Sequence, residues 1–153
     1  MKLIAHNRKA RHDYDILEKI EAGLVLTGTE VKALRVGRAN LKDSFARIEQ
    51  GHAVLQNMYI GPYDQGNIRN HDPTRLRRLL LHRYQIRRLV GRVSEKGLTL
   101  VPLSLYFNDK GIAKVELGLA RGRKTYDKRE AVAEREAQRE IERALRQSQK
   151  EDR

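Results

Sequence analysis

The sequence predicts a mainly β protein with a few short helices, built as a six-stranded closed barrel over residues 1–120 and followed by a charged tail over 121–153. Three observations predict it. Several segments repeat apolar residues with a period of two and are separated by Gly, Asn and Asp turn signals. Strands this short and this numerous leave unpaired edges unless they close on themselves. Large aliphatic side chains then become sparse after Ala120, where only Val132, Ile141 and Leu145 remain.

Residues 1–12 are polar and basic and read as an arm. Tyr14, Ile16, Leu24 and Leu26 keep a strand period around Ala22-Gly23, where the glycine suits a bulge or bend. Thr29 to Arg35 reads as a short helix with Thr29 as N-cap, Glu30 at its positive end and Gly37 as its stop. Ser44–Ile48 and Ala53–Ile60 form a hairpin about Glu49-Gln50-Gly51-His52. Gly61 to about Asp72 is a loop. Asp72-Pro73 then supplies an N-cap and a first-turn proline for a second helix, with Leu76, Leu79 and Leu80 as its apolar stripe. A third helix runs from Arg83 to Leu89. Leu98–Phe107 and Ile112–Leu119 are the last strands, joined through Asn108-Asp109-Lys110-Gly111. An oligonucleotide-binding-type barrel fits this pattern, and a two-sheet sandwich fits it too.

The chain has 153 residues and a net charge of +12, with 34% charged and 39% hydrophobic residues. A basic excess of this size favours a polyanionic partner, because neutralised phosphates release their counterions. Residues 121–153 carry 11 basic and 8 acidic side chains, a net +3, which leaves +9 on residues 1–120. The body is therefore the expected grip. The tail's Ala, Glu, Arg and Gln favour helix, but its apolar stripe is thin, so it is expected to be disordered or frayed when free and to order on a partner. There is no cysteine, no signal-like apolar run at Met1–His6, and no stretch near the ~20 apolar residues of a membrane span. A cytoplasmic, monomeric protein with no membrane partner is expected.

Catalysis finds little support. The five histidines, His6, His12, His52, His71 and His82, lack close metal-ligand spacing, so neither metal nor cofactor is expected. His71-Asp72 suggests an acid–base pair, but an N-cap explains Asp72 more simply. Gly118 to Thr125 imitates a phosphate loop with one residue too few between its glycines and Arg123 ahead of Lys124; it reads as a flexible basic turn. Basic clusters are the stronger signal: Asn7-Arg8-Lys9-Ala10-Arg11-His12, then Lys32, Arg35 and Arg38, then Lys114, Arg121, Arg123 and Lys124. Tyr14, Tyr59, Tyr63 and Tyr106 have rings suited to stacking on bases, although Tyr14 and Tyr106 lie in strands and fit a core equally well.

The segments NRKARHDY (7–14), EAGLVLTGTEVKALRVGRANLKDS (21–44), NHDPTRLRRLLLH (70–82), KGLTLVPLSLYF (96–107) and KVELGLARGRKTYDKR (114–129) together resemble the SsrA-binding protein family, also called small protein B. The resemblance spans nearly the whole chain. It implies an oligonucleotide-binding-fold barrel with no enzymatic activity. It further implies a partner, the tRNA-like domain of transfer-messenger RNA (tmRNA), which the family delivers to stalled ribosomes for trans-translation. RNA-binding positions implied by it fall on Glu21, Glu30, Leu80 and Lys114, with Asn7, Arg8, Arg11, His12, Lys32 and Arg35 as neighbours. The tail segment, with Gly122, Asp127, Lys128 and Arg129, is implied to engage the decoding centre and the empty mRNA path. Tyr126 stands where many members have His, which retains a stacking ring and removes a charged imidazole.

Overall fold

The computed structural model describes residues 1–63, 70–95, 97–122 and 138–146. The chain divides into two compact units, Met1–Gly122 and Arg123–Arg153. In the second, residues 138–146 form a helix with exposed side chains.

The first unit is mainly β. In chain order its elements are β1 (Lys2–His6), α1 (Arg8–Asp13), β2 (Tyr14–Leu24), α2 (Gly28–Arg35), β3 (Ala39–Asn40), β4 (Phe45–Glu49), β5 (His52–Gln56), β6 (Tyr59–Ile60), β7 (Arg77–Leu80), α3 (Arg83–Val93), β8 (Leu98–Phe107) and β9 (Ala113–Gly122). Strands β1-β8-β4-β5-β7-β2-β9 pair in that order, and β9 pairs again with β8, so the pairings return on themselves. All of these pairs are antiparallel. One edge of β8 pairs with β9 along its length. Its other edge is divided between β4, at Leu100, and β1, at Ser104 to Phe107. Alternate residues point inward, as a half-buried strand requires. Ile20 and Ala22 of β2 meet Leu105 of β8, Val115 and Leu117 of β9 and Leu55 of β5 in the main core.

Local chemistry fixes the turns. Gln50 and Gly51 both have positive φ (50° and 77°) between the facing residues Glu49 and His52, the backbone that a two-residue hairpin of matching twist demands. The Asn108 side chain accepts from the N–H groups of Lys110 and Ile112, closing the β8–β9 turn with Gly111 at φ 76°. Strand β5 ends where Asn57 turns to φ 66°, so the predicted strand Ala53–Ile60 is two strands, the second of which pairs with β3.

Further expectations need correction. The main sheet has seven strands and not six, because β1 and β7 lie in segments read as an arm and a helix, and β3 and β6 form a separate pair. Residues 1–12 are not an arm. Ile4 and Ala5 of β1 pack on the main core, and Ala10 of α1 packs on Val101, Leu103 and Ala120. Helix α2 is capped by Thr27 rather than Thr29: the Thr27 hydroxyl accepts from the Glu30 N–H, and the Glu30 carboxylate accepts from the Thr27 N–H. The helix expected after Asp72-Pro73 is instead a turn followed by strand β7. Asp72 accepts from the Thr74 N–H, and from there Arg77 and Leu79 face inward while Arg78 and Leu80 face out. The spacing of Leu76, Leu79 and Leu80 suits a helix only if Arg77 is assumed to face water, and Arg77 is fully buried. Finally, Gly118 to Gly122 is no flexible turn but the end of β9. Gly118 is closely packed there: an added Cβ would lie 3.0 Å from Leu103 Cδ1 and 3.3 Å from Ile16 Cγ2.

Candidate nucleic-acid interface

Strand register assembles the site. Gly23 of β2 lies opposite Leu80 of β7 on one side and Lys114 of β9 on the other, and Lys114 lies opposite Tyr106 of β8. One row across four strands thus reads Leu80, Gly23, Lys114, Tyr106. Gly23 is glycine for a steric reason: a Cβ there would stand 3.2 Å from Leu80 Cβ and 3.4 Å from its Cδ1. The Leu80 side chain thereby lies over the strand while remaining 52% exposed. Two residues along, Glu21 of β2 faces Glu116 of β9. Like charges directly opposite one another repel, and each carboxylate here has a partner. The Tyr106 hydroxyl donates to Glu21 Oε2, and Arg11 of α1 lies 3.6 Å from Glu116.

Glu21, Gly23, Leu80, Leu81, His82, Gln85 and Lys114 line one open recess of about 420 Å³. Three residues far apart in sequence, Glu21, Leu80 and Lys114, therefore share a wall. The recess offers a cation, a carboxylate acceptor and an exposed apolar side chain within one surface. Burial, then the hydrogen bond to Glu21, then the charges of Glu21 and Glu116 all push the Tyr106 hydroxyl far above its ordinary value. It remains a donor at any physiological pH and holds Glu21 in place. Helix α3 closes one side. Its Arg88 guanidinium clamps Glu18 of β2 with two bonds of 2.5 and 2.7 Å, and Gln85 accepts from the His82 N–H at 3.0 Å.

The remaining candidates divide by placement. Arg8 is exposed at the start of α1, and His12 lies 3.2 Å from Asp13. Asn7 is buried and structural: its Oδ1 accepts from the Ala10 N–H and its Nδ2 donates to the Pro102 carbonyl, which seats α1 on β8. Lys32 sits 5.7 Å above the Tyr63 ring, a cation–π contact. Arg35 lines a second recess with Lys2, Phe107, Asn108, Asp109 and Gly111, which shares no residue with the first. Arg121 is exposed opposite Asp15, and Gly122 is opposite Tyr14. Arg123, Lys124, Tyr126, Asp127, Lys128 and Arg129 lie outside the described residues.

Glu30 lies apart from this surface. It is fully buried, and its oxygens accept from Arg75 Nη2 at 2.5 Å, Arg77 Nε at 2.5 Å and the Thr27 N–H at 2.8 Å. Burial raises the Glu30 carboxyl, but the Arg75, Thr27 and Arg77 hydrogen bonds and the Arg77 charge outweigh it, and the group ends below its ordinary value. Arg77 also donates to the carbonyls of Met58 and Pro73. This ionised cluster ties α2 to β7, whose outward Leu80 lines the recess. Nearby, His71 bridges the Thr29 hydroxyl and the Ile60 carbonyl at 2.9 Å each. Sequence reasoning missed Gly23, His82 and Gln85 as parts of the recess. Reading 77–80 as a strand with Arg77 inward would have turned Leu80 outward, although its pairing with Gly23 depends on the register of β7 against β2.

Among the described residues no group of three or more His, Asp or Glu could hold a metal ion, and no helix is long and apolar enough to cross a membrane. Comparison with known proteins finds relatives along nearly the whole chain. A family profile described as SmpB protein matches residues 4–147. A curated SsrA-binding protein of Moorella thermoacetica is 63% identical over 150 residues, covering 98% of this chain and 97% of its own. One from Carboxydothermus hydrogenoformans is 64% identical over 145 residues, covering 95% and 97%. A solved chain from work described as "tmRNA-SmpB: a journey to the center of the bacterial ribosome" is 60% identical, covering 76% of this chain and 82% of its own at a TM-score of 0.65. With a family match over residues 4–147 and a relative 63% identical over 98% of its length, this chain belongs to the SmpB protein family.

Proposed function

We propose that this protein is a tmRNA-binding adaptor of trans-translation, which holds the tRNA-like domain of tmRNA on its body and presents it to stalled ribosomes. One observation carries the assignment: Glu21, Leu80 and Lys114 line a single recess. Its groups suit a folded RNA surface better than a bare phosphate chain. Lys114 meets backbone phosphate, Glu21 accepts from a base amino group or a ribose hydroxyl, and Leu80 packs on a base or sugar face. Arg8 and Arg11 on α1 extend the basic surface. The ring of strand pairings is read as a closed barrel of the oligonucleotide-binding type, a fold that presents its outer strand face and loops to nucleic acid. Glu30 acts through position, by holding β7 against α2.

The protein works in the cytoplasm, as a single chain, by binding and not by catalysis. Arg121, Arg123 and Lys124 add further positive side chains for contact with RNA phosphates. The tail from Gly122 through Tyr126, Asp127, Lys128 and Arg129 engages the decoding centre and the empty mRNA path, where Tyr126 stacks without carrying charge. Competition binding tests the body's role. At matched salt, tRNA-like RNA should displace unrelated duplex RNA from the protein by at least tenfold in affinity. Equal displacement by both would reduce the protein to a general RNA binder.

A further inference from the structure

The recess does not end at Leu80 and Lys114. His82, on its wall, precedes the first turn of α3, and two residues on stands Tyr84, which is 67% exposed. The two rings are stacked, with centroids 5.5 Å apart and planes only 10° from parallel. The hydrogen bond from the His82 N–H to Gln85, and the clamp of Arg88 on Glu18, fix this helix start against β2. An exposed tyrosine held against an offset parallel ring is a pre-organised shelf, because its side-chain entropy is partly lost before any ligand arrives. Arg87, three residues on along the helix, is exposed on the same side as Tyr84, and the exposed Arg83 beside it in sequence adds a second positive charge at the helix start.

We infer that the His82–Tyr84 stack is a base-binding subsite, which takes one unpaired nucleobase of the bound RNA onto the outer face of Tyr84 while Arg83 and Arg87 meet the adjoining phosphates. The ligand class follows from the chemistry. A flat, wet, aromatic face beside cations suits a nucleobase attached to phosphates, and stacking of this kind accepts any base. The inference rests on the proposed RNA-binding role and adds to it a place for a base outside the paired helix.

The chain contains no tryptophan, so Tyr84→Trp creates a single fluorescent reporter at the shelf. Titration of this variant with transcribed tRNA-like domain RNA should quench its emission at least twofold, with affinity kept within about twofold of the parent. Tyr84→Ala should weaken binding of the same RNA roughly 5- to 150-fold, the range base–aromatic stacking supports. It should leave binding to a blunt 12-base-pair RNA duplex unchanged, and its thermal unfolding should match the parent because the ring is exposed. Normal binding with unquenched Trp emission and no Tyr84→Ala penalty would overturn the subsite and spare the RNA-binding reading. Failure of the unsubstituted chain to bind the tRNA-like RNA would overturn both. An equal Tyr84→Ala penalty on the blunt duplex would also overturn the subsite, since the ring would then serve backbone contact alone.

Discussion

Glu30→Gln is the perturbation that best separates building the site from being the site. The substitution keeps the shape of Glu30 and removes its charge, leaving the fully buried Arg77 guanidinium without the carboxylate it is bonded to. Two hydrogen bonds of 2.5 Å, from Arg75 and Arg77, lose their ionic acceptor, while one amide oxygen remains for the Thr27 N–H. Breaking a buried pair from one side costs about 3–5 kcal/mol. At a urea m-value near 2 kcal/mol/M, that lowers the unfolding midpoint by about 1.5–2.5 M. The double variant Glu30→Gln/Arg77→Met should recover much of the loss, since neither charge is then stranded. Urea unfolding followed by circular dichroism measures both variants, and RNA affinity is measured under conditions where each remains folded. Folded Glu30→Gln should bind tRNA-like RNA within about threefold of the parent. A midpoint shift below about 0.5 M together with tenfold weaker RNA binding would refute the reasoning, because the carboxylate would then be meeting RNA and not Arg77.

The same carboxylate sets a pH dependence. Its folded value lies below the ordinary 4.5, so the stabilisation is fully present above that value and is lost as pH falls through the lower folded one. Stability of the parent should therefore fall more steeply below about pH 4.5 than that of Glu30→Gln, as read from urea midpoints at stepped pH. Gly118→Ala forces a Cβ to within 3.0 Å of the buried Leu103 side chain. It should lower stability by about 1–3 kcal/mol, seen as a reduced unfolding midpoint, through overpacking of the seat of α1. Gly23→Ala pushes only on the exposed Leu80 side chain; it should cost less than about 1 kcal/mol in stability while weakening tRNA-like RNA binding several-fold. Lys114→Ala should weaken binding and reduce the slope of log affinity against log salt by about one unit, as expected when one phosphate contact is lost.

Much of the fold was legible because strands announce themselves by alternation. Leu98–Phe107 is observed with the bounds expected of it, and the Gln50-Gly51 turn was readable because few residues other than glycine tolerate positive φ. Strand β7 was not legible. Its inward alternation runs Arg77, Leu79, and an arginine facing a core is readable only when its carboxylate is known, 47 residues away at Glu30. Strand β1 was hidden because its apolar residues, Leu3-Ile4-Ala5, run consecutively and do not alternate, and helix α1 because it buries only Ala10 and its anchor, Asn7, works by hydrogen bonds to Ala10 and Pro102. The candidate site followed the same division. Glu21, Leu80 and Lys114 were named from motif resemblance, but that they share a recess depends on the register of β2 against β7 and β9. The separation of Glu30 from that recess, and the His82–Tyr84 stack beside it, are likewise consequences of three-dimensional pairing.

The central claim is that the recess around Glu21, Leu80 and Lys114 is what selects the RNA. Its most direct test is the RNA that copurifies with the protein from its native cells, sequenced for the parent and for Lys114→Glu expressed at equal level. The account predicts tmRNA as the dominant enriched species with the parent and its loss, by tenfold or more, with the folded variant. Undiminished tmRNA on Lys114→Glu, or no tmRNA enrichment on the parent, would contradict it.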